Sequence, residues 1–178
     1  MTSNHERYSL VAILLHWVMV ALIAVLFGLG WYMVDLPKGP EKGWYVALHK
    51  SIGITLFLLA IIRLRWRQTH SPPPLPLSMP SGQRRLANFT HQALYVLMFV
   101  QPLSGYLSSS FSGYTTSYFW LVPLPQWGWK EPVINELFTD IHEASSLALL
   151  FLIGVHVAGA LLHALTPGDK LLRRMLPR

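Results

Sequence analysis

Residues 141–165 read IHEASSLALLFLIGVHVAGALLHAL, an apolar run that carries His142, His156 and His163 and no charged residue after Glu143. A bilayer-spanning helix needs about 20 predominantly apolar residues, so the stretch predicts a membrane helix. Fourteen residues of α-helix advance about 21 Å, and the rotation nearly closes on four turns. His142 and His156 therefore share one stripe, close to opposite faces of the membrane. Ionisable side chains in such segments are costly and face the bundle interior with a partner. The remaining helices have to supply those partners.

The chain has 178 residues, 52% hydrophobic and 12% charged, with a mean hydropathy of +0.38. Soluble domains carry about 25% charged residues, so soluble and disordered classes are excluded. Residues 8–34 and 86–129 contain no Asp, Glu, Lys or Arg. Four spans are expected, at about 10–34, 44–64, 86–109 and 138–165, within one membrane domain covering 1–178. The expected fold class is all-α, a transmembrane four-helix bundle. The first span has too long an apolar core for a secretory signal, and no small-residue cleavage site follows it; it is expected to remain. The absence of cysteine excludes disulfides, Cys-ligated zinc, iron–sulfur clusters and thioether-attached haem.

Basic residues orient the bundle. Arg7, Arg63, Arg65, Arg67, Arg84, Arg85, Lys170, Arg173, Arg174 and Arg178 would lie on one side, and Lys38, Lys42, Lys50 and Lys130 on the other. Excess Lys and Arg mark the cytoplasmic face, which predicts cytoplasmic termini in a bacterial inner membrane. The net charge of +6 has the same origin, and no nucleic-acid partner is expected. Residues Ser71 to Pro76, with four prolines, cannot be helical and read as an extended cytoplasmic strap. The aromatic-rich segment Tyr106 to Trp129 is expected along the outer surface, where such rings favour headgroup depth. Pro132 suits the first turn of the fourth helix.

Six of eight histidines fall in or beside the spans: His16, His49, His91, His142, His156 and His163. His5 and His70 read as solvated loop residues. One such histidine is readily explained as a packed core residue; six in four spans point to a ligand. By depth, His49 matches His142 near the outer face and His16 matches His156 near the inner one. Two imidazoles facing across a bundle suit axial ligation of haem iron, and filling both axial positions suits electron transfer. Zinc would want three or four ligands converging on one point, not two depths. Two non-covalent b-type haems are expected. Gly53, Gly154 and Gly159 lie a turn or less from the ligands, where they admit a flat macrocycle or serve equally as helix contacts. Arg63 returns to the His49 face at the cytoplasmic end, either to pair with a propionate or to snorkel.

In this order the residues resemble the bacterial cytochrome b561 family. The likeness runs through Leu15-His16-Trp17, Leu48-His49-Lys50-Ser51-Ile52-Gly53, Arg63-Leu64 with Arg67, His91 with Tyr95, Pro102-Leu103-Ser104-Gly105-Tyr106, His142-Glu143, His156 and Leu172 to Pro177. The resemblance implies the same axial pairs, His49–His142 and His16–His156, and electron exchange with ubiquinone. Short, free-standing members look like superoxide oxidase, which implies periplasmic superoxide as donor. A positive approach raises the encounter rate of an anion, and Lys50 is the lysine best placed for it. His163 could hydrogen-bond a quinone and relay its proton, or face lipid headgroups. His91 could bond a propionate or quinone, or replace a ligand of the inner haem.

The expected function is therefore a superoxide:ubiquinone oxidoreductase with two haems, in contact with membrane lipid and working alone or as a homodimer. Short termini and the lack of other cofactor-binding sequence favour it over an anchor subunit linking a dehydrogenase or hydrogenase to quinone, which would bring a periplasmic redox partner. A non-redox metal-ion transporter is the alternative of another class.

Overall fold

The structure, a computed structural model, describes residues 7–76, 79–166 and 171–176. His5, Lys170, Pro177 and Arg178 lie outside them. Four helices dominate: α1 Leu10–Asp35, α2 Pro40–Thr69, α3 Ser81–Phe111 and α4 Pro132–Leu165. Three of the starts have a local cause. Ser9 caps α1 by accepting the Ala12 amide at 3.3 Å, and Pro40 and Pro132 occupy the first turns of α2 and α4, where a missing N–H is harmless. At the far end of α1, Lys42 Nζ donates to the carbonyls of Val34 at 3.1 Å and Leu36 at 3.0 Å. A cation there also suits the negative end of the helix dipole.

The chain runs up and down, so both termini lie at one end, here the terminal end, and the α1–α2 and α3–α4 connections at the other, the loop end. The residues after α4 fold back over the start of α1. Trp17 Nε1 donates to Met175 O at 2.8 Å and Arg7 to Leu176 O at 2.8 Å. Arg174 donates to Pro74 O at 2.9 Å, which ties in the proline strap.

α1, α2 and α4 are each long and apolar enough to cross a bilayer. α3 is as long, at 31 residues, but falls short in apolarity. Its polar side chains point inward: Thr90, Ser104, Ser109 and Ser110 are all buried. Outward positions carry the apolar surface, such as Leu147, Phe151 and Leu162 on α4, each at least two-thirds exposed. That is the pattern of a protein whose solvent is lipid. It has a small interior cluster of Met19, Leu56 and Ala60, flanked by Leu22, Met98 and Phe99.

α1 packs on α2, α2 on α3, and α3 most extensively on α4, whereas α4 has no extensive packing with α1 or α2. The gap that results is where the histidines meet.

The outer segment differs from expectation. Ser110 and Phe111 continue α3 past the expected end near 109, as Ser110 and Ser112 bond back to the carbonyls of Tyr106 and Ser109 at 3.0 and 2.7 Å. Beyond them a two-stranded hairpin, β1 Ser117–Tyr118 and β2 Val122–Pro123, pairs Tyr118 with Val122. Its turn places Phe119 and Trp120 at φ 45° and 60°, the left-handed region such bulky residues avoid. Tertiary contacts hold them there: Phe119 N donates to Ser51 Oγ at 2.9 Å, Tyr118 and Thr55 share a 2.9 Å hydroxyl contact, and Trp120 stacks on Trp44. Trp127 and Trp129 remain exposed.

Candidate functional site

Helix rotation brings the histidines together at two levels. At the terminal end, His16 of α1 faces His156 of α4 with ring centroids 6.2 Å apart and planes at 77°. At the loop end, His49 of α2 faces His142 of α4, also at 6.2 Å, with planes at 76°. The two levels share α4 and are separated by its fourteen-residue stripe.

That distance has a chemical meaning. Two imidazoles bound to one metal from opposite sides need two metal–nitrogen bonds of about 2.0–2.1 Å. Each five-membered ring, with bonds near 1.33 Å, adds a radius of about 1.1 Å. The centroids then stand about 6.4 Å apart, close to both observed pairs. Among the described residues no group of three or more His, Cys, Asp or Glu side chains could hold a metal ion. Each level offers two facing imidazoles, and any further donors to a metal held there would have to come from a group other than the described His, Cys, Asp and Glu side chains.

The helix pairs that carry the rings are those that do not pack together, which leaves room for such a group. At the loop end the room is a cavity of about 160 Å³ lined by Met33, His49, Lys50, Gly53, Gly105 and His142 among others. His49 Nδ1 is buried with no partner at full hydrogen-bond geometry, and the Leu26 main chain is the backbone group that lies near the ring. Gly53 has open space where a side chain would project, as do Gly154 and Gly159.

His142 is held differently. Its Nδ1 donates to the Gln101 carbonyl at 2.8 Å, so its Nε2 keeps the free lone pair. Metal-bound histidines characteristically donate their other N–H to a carbonyl or carboxylate. Ser104 Oγ lies 3.4 Å from the same Nδ1, and the Gln101 amide reaches Nε2 at 3.2 Å. The ring sits so close to α3 that a Cβ on Gly105 would stand 2.8 Å from its Cε1; only glycine admits that approach.

A family model described as prokaryotic cytochrome b561 matches residues 7–178. The chain belongs to that family. Among similar proteins, cytochrome b561 homolog 2 of Escherichia coli is 35% identical over 98% of this chain and 94% of its own length. Cytochrome b561 homolog 1 of the same organism is 29% identical, over 97% and 98%. A protein named probable superoxide oxidase in Yersinia pestis is 26% identical, over 98% of each chain. A cytochrome b561 is a redox protein of the membrane and implies haem b, whose porphyrin would supply the remaining donors. The residues present fit that group.

The other expected site residues fall as follows. His91 of α3 comes within 5.3 Å of His156, short of the spacing for imidazoles on opposite sides of one metal, so the His16 pairing fits that arrangement better. Arg63 stands at the terminal end with its guanidinium on the Ala12 carbonyl at 2.7 Å, beside a nook of about 20 Å³ lined by Tyr8, Trp66, Arg67, His70 and Tyr95. His70, expected as a free loop residue, stacks on Trp66 at 3.8 Å. His163 occupies the last turn of α4, half-buried.

Lys50 turns inward: its Nζ donates to Ser109 Oγ at 2.6 Å, and Ser109 meets Thr116 at 2.8 Å beside the hairpin. Sequence reasoning missed Gln101 and Ser145 and did not single out Gly105 for this contact. The available signal was the polar and small series at 101, 104, 105 and 108, which recurs at helical spacing on one face of α3.

Proposed function

We propose that this protein is a superoxide:ubiquinone oxidoreductase that binds two b haems in the bacterial inner membrane, with the loop end periplasmic and both termini cytoplasmic. The observation that carries this proposal is the pair of facing imidazole couples, each with the spacing of trans ligation, at two depths of one bundle. His49 and His142 would hold the outer haem and His16 and His156 the inner one. Haem would supply reversible one-electron chemistry when bound, and the four histidines would hold it. The likeness to a protein named probable superoxide oxidase supports the donor, and the concentration of arginine at the terminal end supports the orientation.

The balanced reaction is two superoxide plus one quinone plus two protons giving two dioxygen and one quinol. Lys50 would draw the anion toward the outer haem, its charge focused by low-dielectric surroundings. At the other end Arg63 would steady propionate charge, and His163 would donate to a quinone oxygen and pass on a proton. His91 would hydrogen-bond a propionate or the quinone. The chain needs no bond-forming nucleophile, because its work is placement, burial and access.

The test is pyridine haemochrome quantification of purified protein, then anaerobic superoxide pulses with and without ubiquinone. Two b haems per chain, reduced by superoxide and reoxidised by quinone, are expected. Two haems unresponsive to superoxide would move the function to an anchor subunit, and an absence of haem would sink the ligand assignments.

A further inference from the structure

The two histidines of the loop-end pair are not held alike. His49 leaves Nδ1 buried with no partner at full hydrogen-bond geometry, whereas His142 is engaged on both ring nitrogens by one residue of α3. The main-chain carbonyl of Gln101 accepts from Nδ1 at 2.8 Å, and the side-chain amide of Gln101 stands 3.2 Å from Nε2. Ser145, buried one turn beyond His142 on α4, donates to Gln101 Oε1. Because Nδ1 donates to a carbonyl, Nε2 is the acceptor of the ring and faces the amide N–H₂ end of Gln101, which leaves Oε1 to accept from Ser145. Pro102, directly after it within α3, has no N–H of its own, and Gly105 clears the space into which the His142 ring fits.

We propose that Gln101 is a positioning and potential-setting residue for the outer redox centre, resting on the ligand role proposed above for His142. Its carbonyl selects the tautomer that presents Nε2 as a lone pair. Its side-chain amide, anchored by Ser145, stands at Nε2; a metal held by His142 would take over that contact and leave the amide as a donor dipole of the surrounding protein. A donor dipole with its positive end toward the centre disfavours the more positive, oxidised state and so raises the reduction potential; net charge and hydrogen bonds around such centres are established controls of potential. The terminal-end pair has no counterpart among the described contacts of His16 and His156, so the two centres of one molecule are differently tuned.

The test is a spectroelectrochemical titration of purified holoprotein, comparing the chain with Gln101→Leu, Gln101→Glu and Ser145→Ala, with His142→Ala as the reference that identifies the outer centre. Gln101→Leu removes the dipole and should lower the potential of that centre. Gln101→Glu puts an acceptor or a negative charge in its place and should lower it further. Ser145→Ala frees the amide and should shift the same centre in the same direction with both haems retained. The terminal-end centre should not move in any of them.

A purely structural role would reduce haem content without this ordering. If Gln101→Glu loses haem, Gln101→Leu and Ser145→Ala still decide: unmoved potentials in both overturn the proposal. If His142→Ala keeps two haems, the ligand assignment itself is wrong. If it keeps one while the Gln101 and Ser145 variants titrate like the parent, only the role of Gln101 fails.

Discussion

Replacing Gly105 by alanine puts the closest approach in the site to a direct test. The added Cβ would lie 2.8 Å from His142 Cε1 and 2.9 Å from Nδ1, against an ordinary carbon contact of about 3.5–4.0 Å. The contacted atoms belong to a rigid ring, so relief requires the imidazole or the α3–α4 interface to move by about 0.7–1.2 Å. A displacement of that size stretches the 2.8 Å bond from Nδ1 to the Gln101 carbonyl to the edge of hydrogen bonding. Losing such a bond costs about 1 kcal/mol, and overpacking in a close interface adds about 1–3 kcal/mol. Mutations of outer-shell partners typically lower metal affinity 10- to 100-fold, or about 1.4–2.7 kcal/mol, which agrees with the sum at its lower end. The expected result is roughly tenfold or faster loss of one haem to an apomyoglobin trap, with the other retained. Gly82→Ala is the control, because Gly82 is exposed at the start of α3, nothing lies within 4 Å of its added Cβ, and it should behave as the parent. If Gly105→Ala keeps both haems with parental loss rates, His142 is not held against α3 as described.

Three further outcomes are expected. His49→Ala should abolish the same haem as His142→Ala, and His16→Ala the same haem as His156→Ala, so that each single variant binds one haem and the double variant His49→Ala/His142→Ala still binds one; pyridine haemochrome counts decide this. Lys50→Gln should slow reduction by superoxide about tenfold and flatten its ionic-strength dependence, with haem content unchanged, as read by pulse radiolysis. In the hairpin, Trp120→Gly relieves a left-handed backbone at a gain of about 1–2 kcal/mol and forfeits a ring stack of about 0.5–1.5 kcal/mol, so thermal stability in detergent should change little. Trp120→Ala forfeits the stack without the relief and should melt lower than Trp120→Gly; the reverse order would show that backbone strain at Trp120 is unimportant.

Much of the bundle is legible along the chain, because depth in a membrane is an axial quantity. A helix advances by a fixed rise, so counting residues from each span's end places His49 level with His142 and His16 level with His156. The same counting puts fourteen residues between the two levels on α4. Apolarity is a weaker guide where a helix turns its polar side inward. α3 buries serines and a threonine against its neighbours, and that lowers its hydropathy while leaving its length sufficient. Gln101 carries no ionisable group and no motif marks it, and its importance arises only because α4 lays His142 across it.

The sequence by itself determined the class of the protein, the number and depth of the helices, and the two levels at which imidazoles can meet. All of these follow from composition and helical period, which are local properties. Only the tertiary structure decided which helices pack and which stand apart, and that the gap falls between α4 and the α1–α2 pair. It also decided that Lys50 turns inward to Ser109 and that the hairpin forces Phe119 and Trp120 into left-handed backbone. These depend on how each helix is rotated about its own axis relative to its neighbours. That rotation is settled by side chains far apart in sequence meeting in space, and no local pattern encodes it.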